Sequence, residues 1–461
     1  MNSMHILHYI YGMPPYRGGG MIKYALDLIE VEEKMGHTVS IIYPGSIYKR
    51  NSRKIKIKRE KNYYKTKVYR IKNPLPIPLG NGIKDFEWFM SEHGYAIYFE
   101  FLKNMKPDVI HIHSLMGIHG SFFEAAKQLN IRMVYTSHDY FGLCPITTLM
   151  KEKQSCMENN WKKCSICCRN AFSTTHLMLD QSIVVQKVLQ TWIGKKTLDL
   201  LMHFKAKLIQ KSDSIEMQKK NAMYINEVEY QKLNGYYKDI LKKIDFYHFN
   251  SEISKEEFVK RIGKVTYSVI PITNSSCVDR RKKRSYHSPL KVGFLGGNND
   301  FKGFPVLYKS ISDLWHENCK ILLNTYFGTI EREEIFWKQN RPYKYSELEK
   351  IMDENDVILV PSIWKETFGL VVVEALSFGV PVIVSENVGA KIFLERKGEI
   401  GKVLKGNLYL EIKKCLREIT VDRSILEKWN ANICEADFDF SMEKHGKKIV
   451  NICYEEKYDE K

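Results

Sequence analysis

Short apolar runs alternate with amphipathic segments at the start of the chain. Met4 to Tyr11 is apolar with interleaved aromatic residues and predicts a buried strand. After the turn PPYRGGG, apolar residues recur at helical spacing from Met21 to Glu32, and Gly36-His37 marks the end of that helix. Thr38 to Tyr43 predicts a second strand. This strand–helix–strand order is a βαβ unit, so the sheet is predicted to be parallel.

The same alternation continues and is then interrupted. Val109 to His113 and Met133 to Ser137 predict two more strands. A cysteine-rich segment and then a basic, mainly helical segment predict an insertion over residues 144–245. The strand pattern returns at Phe246 to Ser251, so the insertion lies within the first domain.

A second series of strands begins after a polar, basic stretch, Asn274 to Ser288, which predicts the domain junction. Its four buried strands are predicted at Val292–Leu295, Ile321–Asn324, Val357–Val360 and Pro381–Val384. The pattern therefore predicts an α/β protein with one doubly wound domain over residues 1–275 and another over residues 285–435. Residues 436–461 form a tail that is predicted to contain a helix.

The composition supports two folded cores and indicates an anionic partner. The 461 residues are 44% hydrophobic, which excludes wholesale disorder. An excess of 71 Lys and Arg over 54 Asp and Glu gives a formal charge of +17, and phosphates, nucleic acids and acidic lipids all attract such a surface. The charge is concentrated in Lys49 to Lys72 and in Arg280 to Arg284. Both runs suit solvated loops or edge strands, and both suit docking on an anionic membrane face.

We find neither a signal peptide at the N-terminus nor a run of 18 residues free of charges and helix breakers. We therefore expect an intracellular, cytoplasmic protein. Ten cysteines in a reducing compartment predict free thiols or metal ligands rather than disulfides.

The strongest local signal lies between Val357 and Ala390. A buried strand ends at Pro361, a loop contains Glu366, and a helix that begins near Phe368 contains Glu374. In open α/β sheets ligands bind beyond the carboxyl ends of the strands, and helix N-termini bind phosphate. Two carboxylates, one in the loop and one on the helix, suit a polyhydroxylated ligand beside such a phosphate. The alternative is a pair of solvated carboxylates, with Glu366 serving only as a helix cap.

The phrase ETFGLVVVE, followed by ALSFGVPVI, resembles the retaining glycosyltransferases of family 4, which have the GT-B fold. Other segments agree in order: the triple-glycine loop before the first helix, PDVIHIHS, YTSHDYFGLCP, NSEISKEEFVKRIG and KVGFLGGNNDFKGF. The resemblance covers most of the chain, with poor agreement over residues 172–245 and the basic linker. It implies two Rossmann-like domains facing across a cleft, the first binding the acceptor and the second the nucleotide sugar. It also implies a tail helix that crosses back to the first domain.

The resemblance implies roles on the donor side. Glu374 corresponds to the residue that binds the ribose hydroxyls, and Glu366 to the residue that contacts the transferred sugar. Lys302 corresponds to a lysine that neutralises the diphosphate, so no cofactor is predicted to be required for catalysis. The main chain that meets the sugar and the diphosphate corresponds to Phe368, Gly369 and Leu370. An arginine that the family often has five residues before the lysine is replaced by Gly297, and Lys291 or the run RRKKR are candidates for its charge.

On the acceptor side, His138 corresponds to the histidine that approaches the reacting sugar, and a histidine of the core or of a loop is the alternative. His111 and His113 alternate along a strand and are predicted at the floor of the cleft. The main chain can approach an acceptor or a phosphate closely at three consecutive glycines, Gly18, Gly19 and Gly20.

Several cysteines cluster in the predicted insertion. Cys164 and Cys167 have the C-x2-C spacing of a metal knuckle, and Cys144 and Cys156 could complete a tetrahedral zinc site. The second pair lacks that spacing, and free thiols are the alternative. Such a zinc ion would brace the insertion and take no part in the chemistry.

The helical part of the insertion has the composition of a helix that lies on an anionic membrane surface. Its apolar members are Trp192, Leu198, Leu201, Phe204 and Leu208, and its basic members are Lys195, Lys196, Lys205, Lys207 and Lys211. An ordinary amphipathic helix packed on the domain is the alternative.

We therefore predict a retaining hexosyltransferase that moves a sugar from a nucleotide-diphosphate sugar to a glycan or lipid-linked acceptor. The expected setting is cell-surface or capsular polysaccharide synthesis at the inner face of the membrane. The alternatives are a GT-B nucleotide-sugar epimerase and a basic nucleic-acid-binding protein with a zinc knuckle. The first is disfavoured by the transferase-like residues around His138. The second lacks a recognition motif, so no nucleic-acid partner is expected.

Overall fold

The computed structural model describes residues 3–48, 54–78, 80–151, 154–156, 161–190, 226–328 and 332–455. Within these ranges the chain forms two large sheets, one in each half, and a small two-stranded sheet. The predicted basic amphipathic segment around Trp192 to Lys211 lies outside the described residues, as does part of the basic run that begins at Lys49.

The first sheet has eight strands in the order β10-β9-β6-β5-β1-β2-β4-β3, and every pair is parallel except β3 with β4. The strands are β1 His5–Tyr9, β2 Thr38–Pro44, β3 Lys56–Arg59, β4 Lys67–Lys72, β5 Val109–Ile112, β6 Arg132–Thr136, β9 Phe246–Phe249 and β10 Tyr267–Val269. The strands β7 Met150–Lys151 and β8 Gln154–Ser155 form the separate small sheet. Helices flank this half at Gly20–Lys34, Phe86–Phe89, Tyr95–Met105, Gly120–Gln128, Trp161–Cys167, Thr174–Asp180, Ile183–Gln190, Glu227–Leu241 and Glu252–Ile262.

The second sheet has seven strands in the order β13-β14-β12-β11-β15-β16-β17, antiparallel only between β13 and β14. The strands are β11 Leu290–Phe294, β12 Ile321–Thr325, β13 Arg332–Glu333, β14 Trp337–Gln339, β15 Val357–Val360, β16 Val382–Ser385 and β17 Gly401–Leu404. Helices flank it at Phe304–His316, Leu348–Glu354, Leu370–Ser377, Ile392–Arg396, Leu408–Val421 and Ser424–Glu435. The predicted α/β class with two parallel sheets is confirmed.

The cores follow from the burial of both sheet faces, which is why the central strands are apolar without alternation. Strand β15 is VILV and almost completely buried. The first half packs many aromatic rings, and Tyr135, Tyr247 and Phe258 contact one another there. Burial of each such side chain stabilises the fold by roughly 1.5–3 kcal/mol.

Part of the predicted insertion belongs to that first core. The helix Glu227–Leu241 buries Tyr230, Leu233 and Tyr237 against the same cluster of side chains. The hydroxyl of Tyr230 donates to the carbonyl of Ile83 at 2.7 Å, which fastens the helix to a loop of the first domain. This helix is therefore an integral layer of the domain rather than an appendage.

The last residues that the structure describes pack on the first domain. The helix Met442–Ile449 continues as a π-helical turn, Val450–Tyr454, and both elements contact the first half of the chain. A Cβ atom on Gly446 would lie 2.5 Å from Cγ1 of Val31, so glycine allows this helix to lie directly on the helix Gly20–Lys34. The two halves are thereby held together at a second place besides the cleft.

Candidate functional site

A sharp connection follows β15 at the carboxyl edge of the second sheet. Gly369 precedes the helix Leu370–Ser377 and has φ of +99°, in the left-handed region that glycine tolerates best. A Cβ atom there would lie 2.9 Å from Cγ1 of Val388. The first N–H groups of this helix therefore point beyond the sheet edge, where an anion is stabilised by the helix dipole. The side chain of Phe368 is buried in the core, so it offers only its main chain to a ligand.

Glu366 lies in the loop before this helix and is only 9% exposed. Its carboxylate forms an ion pair with Lys302 and accepts a hydrogen bond from the hydroxyl of Ser362. The ammonium group of Lys302 also lies 5.3 Å from the ring centre of Trp364. The structure therefore joins two of the predicted donor-site residues directly. The contribution of Ser362 was not foreseen, because a lone serine after a strand gives no signal.

Glu374 lies inside the helix and is 2% exposed. It accepts a hydrogen bond from Nδ2 of Asn274 at 3.0 Å, across the junction between the two halves. Burial raises the pKa of this carboxyl, and the hydrogen bond from Asn274 and the charge of Lys23 oppose that rise. The carboxylate thus accepts from the neutral amide of Asn274 and keeps acceptor capacity for hydroxyl groups.

The glycine loop of the first half reaches this unit. Gly20 is the first residue of the helix Gly20–Lys34, and a Cβ atom on it would lie 3.3 Å from Cδ1 of Leu370. Gly19 has φ of +111°, a conformation that other residues rarely adopt. The loop Gly18–Gly20 therefore lies opposite the N-terminus of the helix Leu370–Ser377, with room for the main chain to approach a ligand.

His138 follows strand β6 and faces the same loop from the first domain. Its main-chain carbonyl accepts a hydrogen bond from Oγ1 of Thr367 at 2.9 Å. Burial lowers the pKa of its imidazole to about 3, so the ring is neutral at physiological pH. The hydroxyl of Ser251 donates to the carbonyl of Thr367 at 2.5 Å, which adds a second contact between the halves. Ser251 and Thr367 had no recognisable signal in the sequence.

The basic run proposed as a substitute for the missing arginine lies elsewhere. Arg281 donates to the carbonyls of Ile433 and Ala436, at the end of the helix Ser424–Glu435. Arg284 donates to the carbonyl of Met352 at 2.9 Å. These guanidinium groups satisfy helix C-termini, where cations are favoured, and they do not face the cleft loop.

The cysteines of the predicted zinc site surround one small apolar cavity. Cys144, Cys156 and Cys164 line it together with aromatic and aliphatic side chains. In the described part of the chain, no three of the predicted sulfur ligands lie within 4.8 Å of one another. Burial raises the pKa of the Cys144 thiol to about 11, so this group is protonated at neutral pH. The described residues therefore do not assemble a four-sulfur site, and zinc stays a prediction that metal analysis would test.

Histidines form the one group of three side chains, among the residues described, whose candidate metal-binding atoms come within 4.8 Å of one another. The group is His8, His111 and His113, all buried below the cleft. Each ring hydrogen-bonds to buried neighbours: His8 to Glu32 at 2.6 Å and His111 to the hydroxyl of Tyr454 at 2.6 Å. These contacts describe a polar network under His138 rather than a set of free ligands.

Two family models match the chain, one in each half. Residues 18–171 match the model described as Glycosyltransferase Family 4, and residues 331–435 match Glycosyl transferases group 1. The chain belongs to glycosyltransferase family 4. The family prediction is thus confirmed, and the first match includes both the glycine loop and His138, while the second includes both glutamates.

Curated relatives of this family 4 chain come from Klebsiella pneumoniae. An uncharacterized 41.2 kDa protein in the cps region is 33% identical over 132 residues, which are 26% of this chain and 35% of that protein. An uncharacterized 42.6 kDa protein in the cps region is 28% identical over 144 residues, 30% of this chain and 37% of that protein. The chain spans a little over a third of the length of these relatives.

Solved structures share the architecture over nearly the whole of this family 4 chain. Sucrose-phosphate synthase from Thermosynechococcus elongatus has a TM-score of 0.57 at 14% identity, covering 97% of this chain and 98% of that one. Anabaena HepE in complex with UDP and glucose has a TM-score of 0.54 at 12% identity, with 97% and 98% covered. WaaG, a glycosyltransferase involved in lipopolysaccharide biosynthesis, has a TM-score of 0.54 at 12% identity, with 96% and 99% covered. These likenesses confirm the GT-B fold.

In the part of this family 4 chain that the structure describes, no helix combines the length and apolarity needed to cross a bilayer.

Proposed function

We propose that the protein transfers a hexosyl unit from a nucleotide-diphosphate sugar to a glycan or lipid-linked acceptor, with retention of anomeric configuration, in cell-surface polysaccharide synthesis. The observation that carries the proposal is the convergence of Glu366, Lys302 and His138 on one loop between the two domains. The cps-region relatives and the lipopolysaccharide enzyme of the same fold support the setting.

The donor binds along the second domain in this proposal. Glu374 accepts hydrogen bonds from the ribose hydroxyls, and Glu366 accepts them from the transferred sugar. The diphosphate lies at the N-terminus of the helix Leu370–Ser377, where Lys302 neutralises the negative charge that grows as it leaves. Solved structures of this fold, such as HepE with UDP and glucose, support a nucleotide-sugar ligand.

The acceptor binds along the first domain. His138 is neutral, so it can donate or accept a hydrogen bond at the reacting sugar without adding charge. The loop Gly18–Gly20 contributes main-chain groups to an acceptor or a phosphate. The two domains approach each other through Thr367, which keeps water away from the reacting bond and favours transfer over hydrolysis.

We also propose that the first domain docks on an anionic membrane, which would bring a lipid-linked acceptor to the cleft. Leu179, Val184 and Val188 expose between 55% and 72% of their surface on the helices that precede the predicted amphipathic segment. Flotation with phosphatidylcholine vesicles, with and without phosphatidylserine, tests this. We expect binding only with the acidic lipid, weakened by salt and by Val184→Ser. Binding that needs no acidic lipid, or none at all, would contradict the docking.

The test of the proposed function is a thermal-shift panel of UDP-, GDP-, ADP- and CMP-sugars. A ligand at a hundred times its Kd stabilises the folded protein by about 2.7 kcal/mol, a shift that is easily measured. We expect one nucleotide class to stabilise the wild type and to lose its effect in Glu374→Ala. Glu395→Ala is the matched control, because that carboxylate is exposed on another helix of the same domain.

A shift by one class that survives in Glu395→Ala and disappears in Glu374→Ala would support the donor site and name the base. Stabilisation that persists in Glu374→Ala would remove that residue from the site. Well-folded protein that responds to none of the sugars would contradict the proposed donor. The anomeric coupling constant of the product, compared with that of the donor, then decides retention.

A further inference from the structure

A chain of hydrogen-bonded histidine side chains runs from the cleft into the first domain. Nε2 of His138 lies 3.2 Å from Nδ1 of His113, and Nε2 of His113 lies 3.0 Å from Nδ1 of His8. Nε2 of His8 lies 2.6 Å from Oε2 of Glu32, a carboxylate with no exposed surface. We call these four residues the histidine relay. Its outer end is the partly exposed His138, and its inner end is a buried acid.

The direction of these hydrogen bonds follows from the chemistry of the inner end. A carboxylate only accepts, so Nε2 of His8 carries a proton, and Nδ1 of a neutral His8 must accept. His113 therefore donates from Nε2 and accepts at Nδ1, and His138 donates from Nε2. Burial and the neighbouring histidines lower the pKa of His113 far below its usual value, which agrees with a neutral ring. Nδ1 of His138 is left with its lone pair and hydrogen-bonds to none of the residues described.

A second branch ties the same carboxylate to the tail. The hydroxyl of Tyr454 lies 2.6 Å from Oε1 of that acid and 2.6 Å from Nδ1 of His111. Nε2 of His111 lies 2.6 Å from the hydroxyl of Thr136, which lies 2.9 Å from Nδ1 of His248. Nε2 of His248 donates to the carbonyl of Ile270 at 2.8 Å. Since a carbonyl only accepts, this end of the branch also has a fixed direction.

The two branches together are one proton short. They contain eight hydrogen bonds, each of which needs a proton. Five neutral histidines, one threonine and one tyrosine supply seven when the acid is ionised. One added proton completes every bond, without leaving a net charge in the core, only when it lies on Oε1 of the acid and is donated to Tyr454. A proton that arrives through His8 lies on Oε2, where it neutralises the buried carboxylate and leaves seven of the eight bonds made.

We propose that the histidine relay carries the proton of the acceptor hydroxyl from the cleft to Glu32. The proposal rests on the proposed transferase function. The acceptor oxygen bonds to the sugar, and the bond between the sugar and the diphosphate breaks with its electron pair leaving on the diphosphate. The hydroxyl proton passes to Nδ1 of His138, and the Nε2 protons of His138, His113 and His8 each move to the next acceptor inward. Glu32 ends protonated, and the reverse shift returns the proton to solvent after the products leave.

His113, His8 and Glu32 are positioning residues in this scheme, because they act on the cleft only through His138. Their first effect is on the tautomer, which is visible without any substrate. Nitrogen-15 NMR of the histidine-labelled full-length protein at neutral pH reports which ring nitrogen of each residue is protonated. We expect His8, His113 and His138 to be neutral and protonated at Nε2.

Glu32→Gln separates orientation from proton uptake. A glutamine carbonyl can accept from His8 while its amide donates to Tyr454, so every hydrogen bond is made and no further proton can be taken up. We expect unchanged tautomers and an unchanged or raised Tm. With the nucleotide sugar that the thermal-shift panel selects, kcat should fall about tenfold or more while KM changes little. Glu30→Gln, an exposed acid on the same helix, should leave kcat unchanged.

Proton inventory gives a readout that a structural role would not move. If several protons shift together, a plot of kcat against the fraction of heavy water should be curved for the wild type. For Glu32→Gln the same plot should be a straight line.

A kcat for Glu32→Gln equal to that of the wild type would overturn the relay. So would His138 found as an imidazolium or protonated at Nδ1. Stoichiometric metal that is lost in His8→Gln would overturn it too, because the rings would then be ligands. A wild type without turnover would contradict the proposed function, and the tautomers would still decide the relay.

Discussion

The two sheets share an architecture and differ in what they bury. In the first sheet, adjacent strands place polar side chains in the interior: His8 pairs in register with His111, and Thr136 pairs with His248. In the second sheet the central strands β11 and β15 pair through apolar side chains, as with Val292 and Val357. The buried polar residues Thr325 and Ser385 are the last residues of their strands. The candidate site residues of the second domain lie in loops beyond the strand ends. In the first domain, polar side chains continue from the cleft into the interior of the sheet.

This difference means that function and stability are coupled differently in the two halves. Glu366 and Lys302 can be changed with little effect on the strands below them, because they lie in the loop and helix connections at the sheet edge. A change in the network under His138 alters groups that are also part of the core. Removing one partner there leaves another buried polar group without a hydrogen bond, and water cannot replace the lost partner.

The largest expected effect is the acid lability of the first domain. Burial lowers the pKa of His119 to about 3 and that of His248 to about 4, against about 6.5 in an unfolded chain. The folded state then binds fewer protons, so its stability is lost as pH falls below 6.5 towards 4. At about 1.4 kcal/mol per pH unit for each group, these two alone remove about 5 kcal/mol between pH 6.5 and 4.5. His111, His113 and His445 shift in the same direction and add to the loss.

Two carboxyls act against this loss. Burial raises the pKa of Asp139 to about 6 and raises that of Glu374, so each contributes stability that is present at low pH and lost as pH rises. Asp139 offsets about 2 kcal/mol of the histidine effect over the same interval. Hydrogen exchange resolved along the chain is the measurement. Strands β1, β5 and β9 should lose protection at a higher pH than β11, β15 and β16, and simultaneous loss in both sheets would remove the contrast.

The next effect concerns activity in the second domain. Glu366→Gln removes the charge paired with Lys302 and keeps the shape of the side chain. We expect kcat to fall about 100- to 1,000-fold, as when one electrostatic contact to a transition state is removed. Strands β15 and β16 should keep their hydrogen-exchange protection. Glu395→Gln is the control, and a comparable loss of kcat there would show that the effect is not local.

A smaller effect on stability is expected from the tail. Tyr454→Phe removes the hydroxyl between Glu32 and His111 and leaves two buried polar atoms without that partner. The free energy of unfolding should fall by about 2–3 kcal/mol, measured by urea denaturation at pH 7.5. Tyr64→Phe removes a hydroxyl from a ring that is 85% exposed and should change it by less than about 0.5 kcal/mol. Equal losses of unfolding free energy in the two variants would mean that the hydrogen bonds of the Tyr454 hydroxyl do not stabilise the fold.

The same contrast explains how far the sequence alone could go. Glu366, Gly369 and Glu374, which are proposed to bind the donor, lie within one strand–loop–helix unit. Their spacing along the sequence is therefore enough to show the resemblance. His138 was found in the same way, from the phrase that follows β6. The alternation of His111 and His113 placed both on one face of a strand, which agrees with their burial below the cleft.

The remaining contacts depend on pairing between distant segments. His8, Glu32 and Tyr454 meet because β1 lies beside β5 and the tail returns to the helix Gly20–Lys34. A local sequence pattern cannot predict that three residues so far apart in the chain lie in one site. Asn274 was missed for the same reason, since its bond to Glu374 spans the domain junction.

The smallest effect is expected at the turn before the helix Leu370–Ser377. Gly369→Ala forces a side chain into the left-handed region and 2.9 Å from Val388, whereas Gly398→Ala meets the same kind of backbone at φ of +82° with open space around it. The second change should cost about 1 kcal/mol and the first about 2 kcal/mol, because only the first adds a steric clash. Denaturant unfolding of both variants measures the difference.

The same pair of variants also tests nucleotide binding, because the N–H groups after Gly369 are those proposed to bind the diphosphate. Gly369→Ala should weaken nucleotide binding in the thermal-shift assay, and Gly398→Ala should not. Equal binding by the two variants would mean that the helix N-terminus does not hold the phosphate.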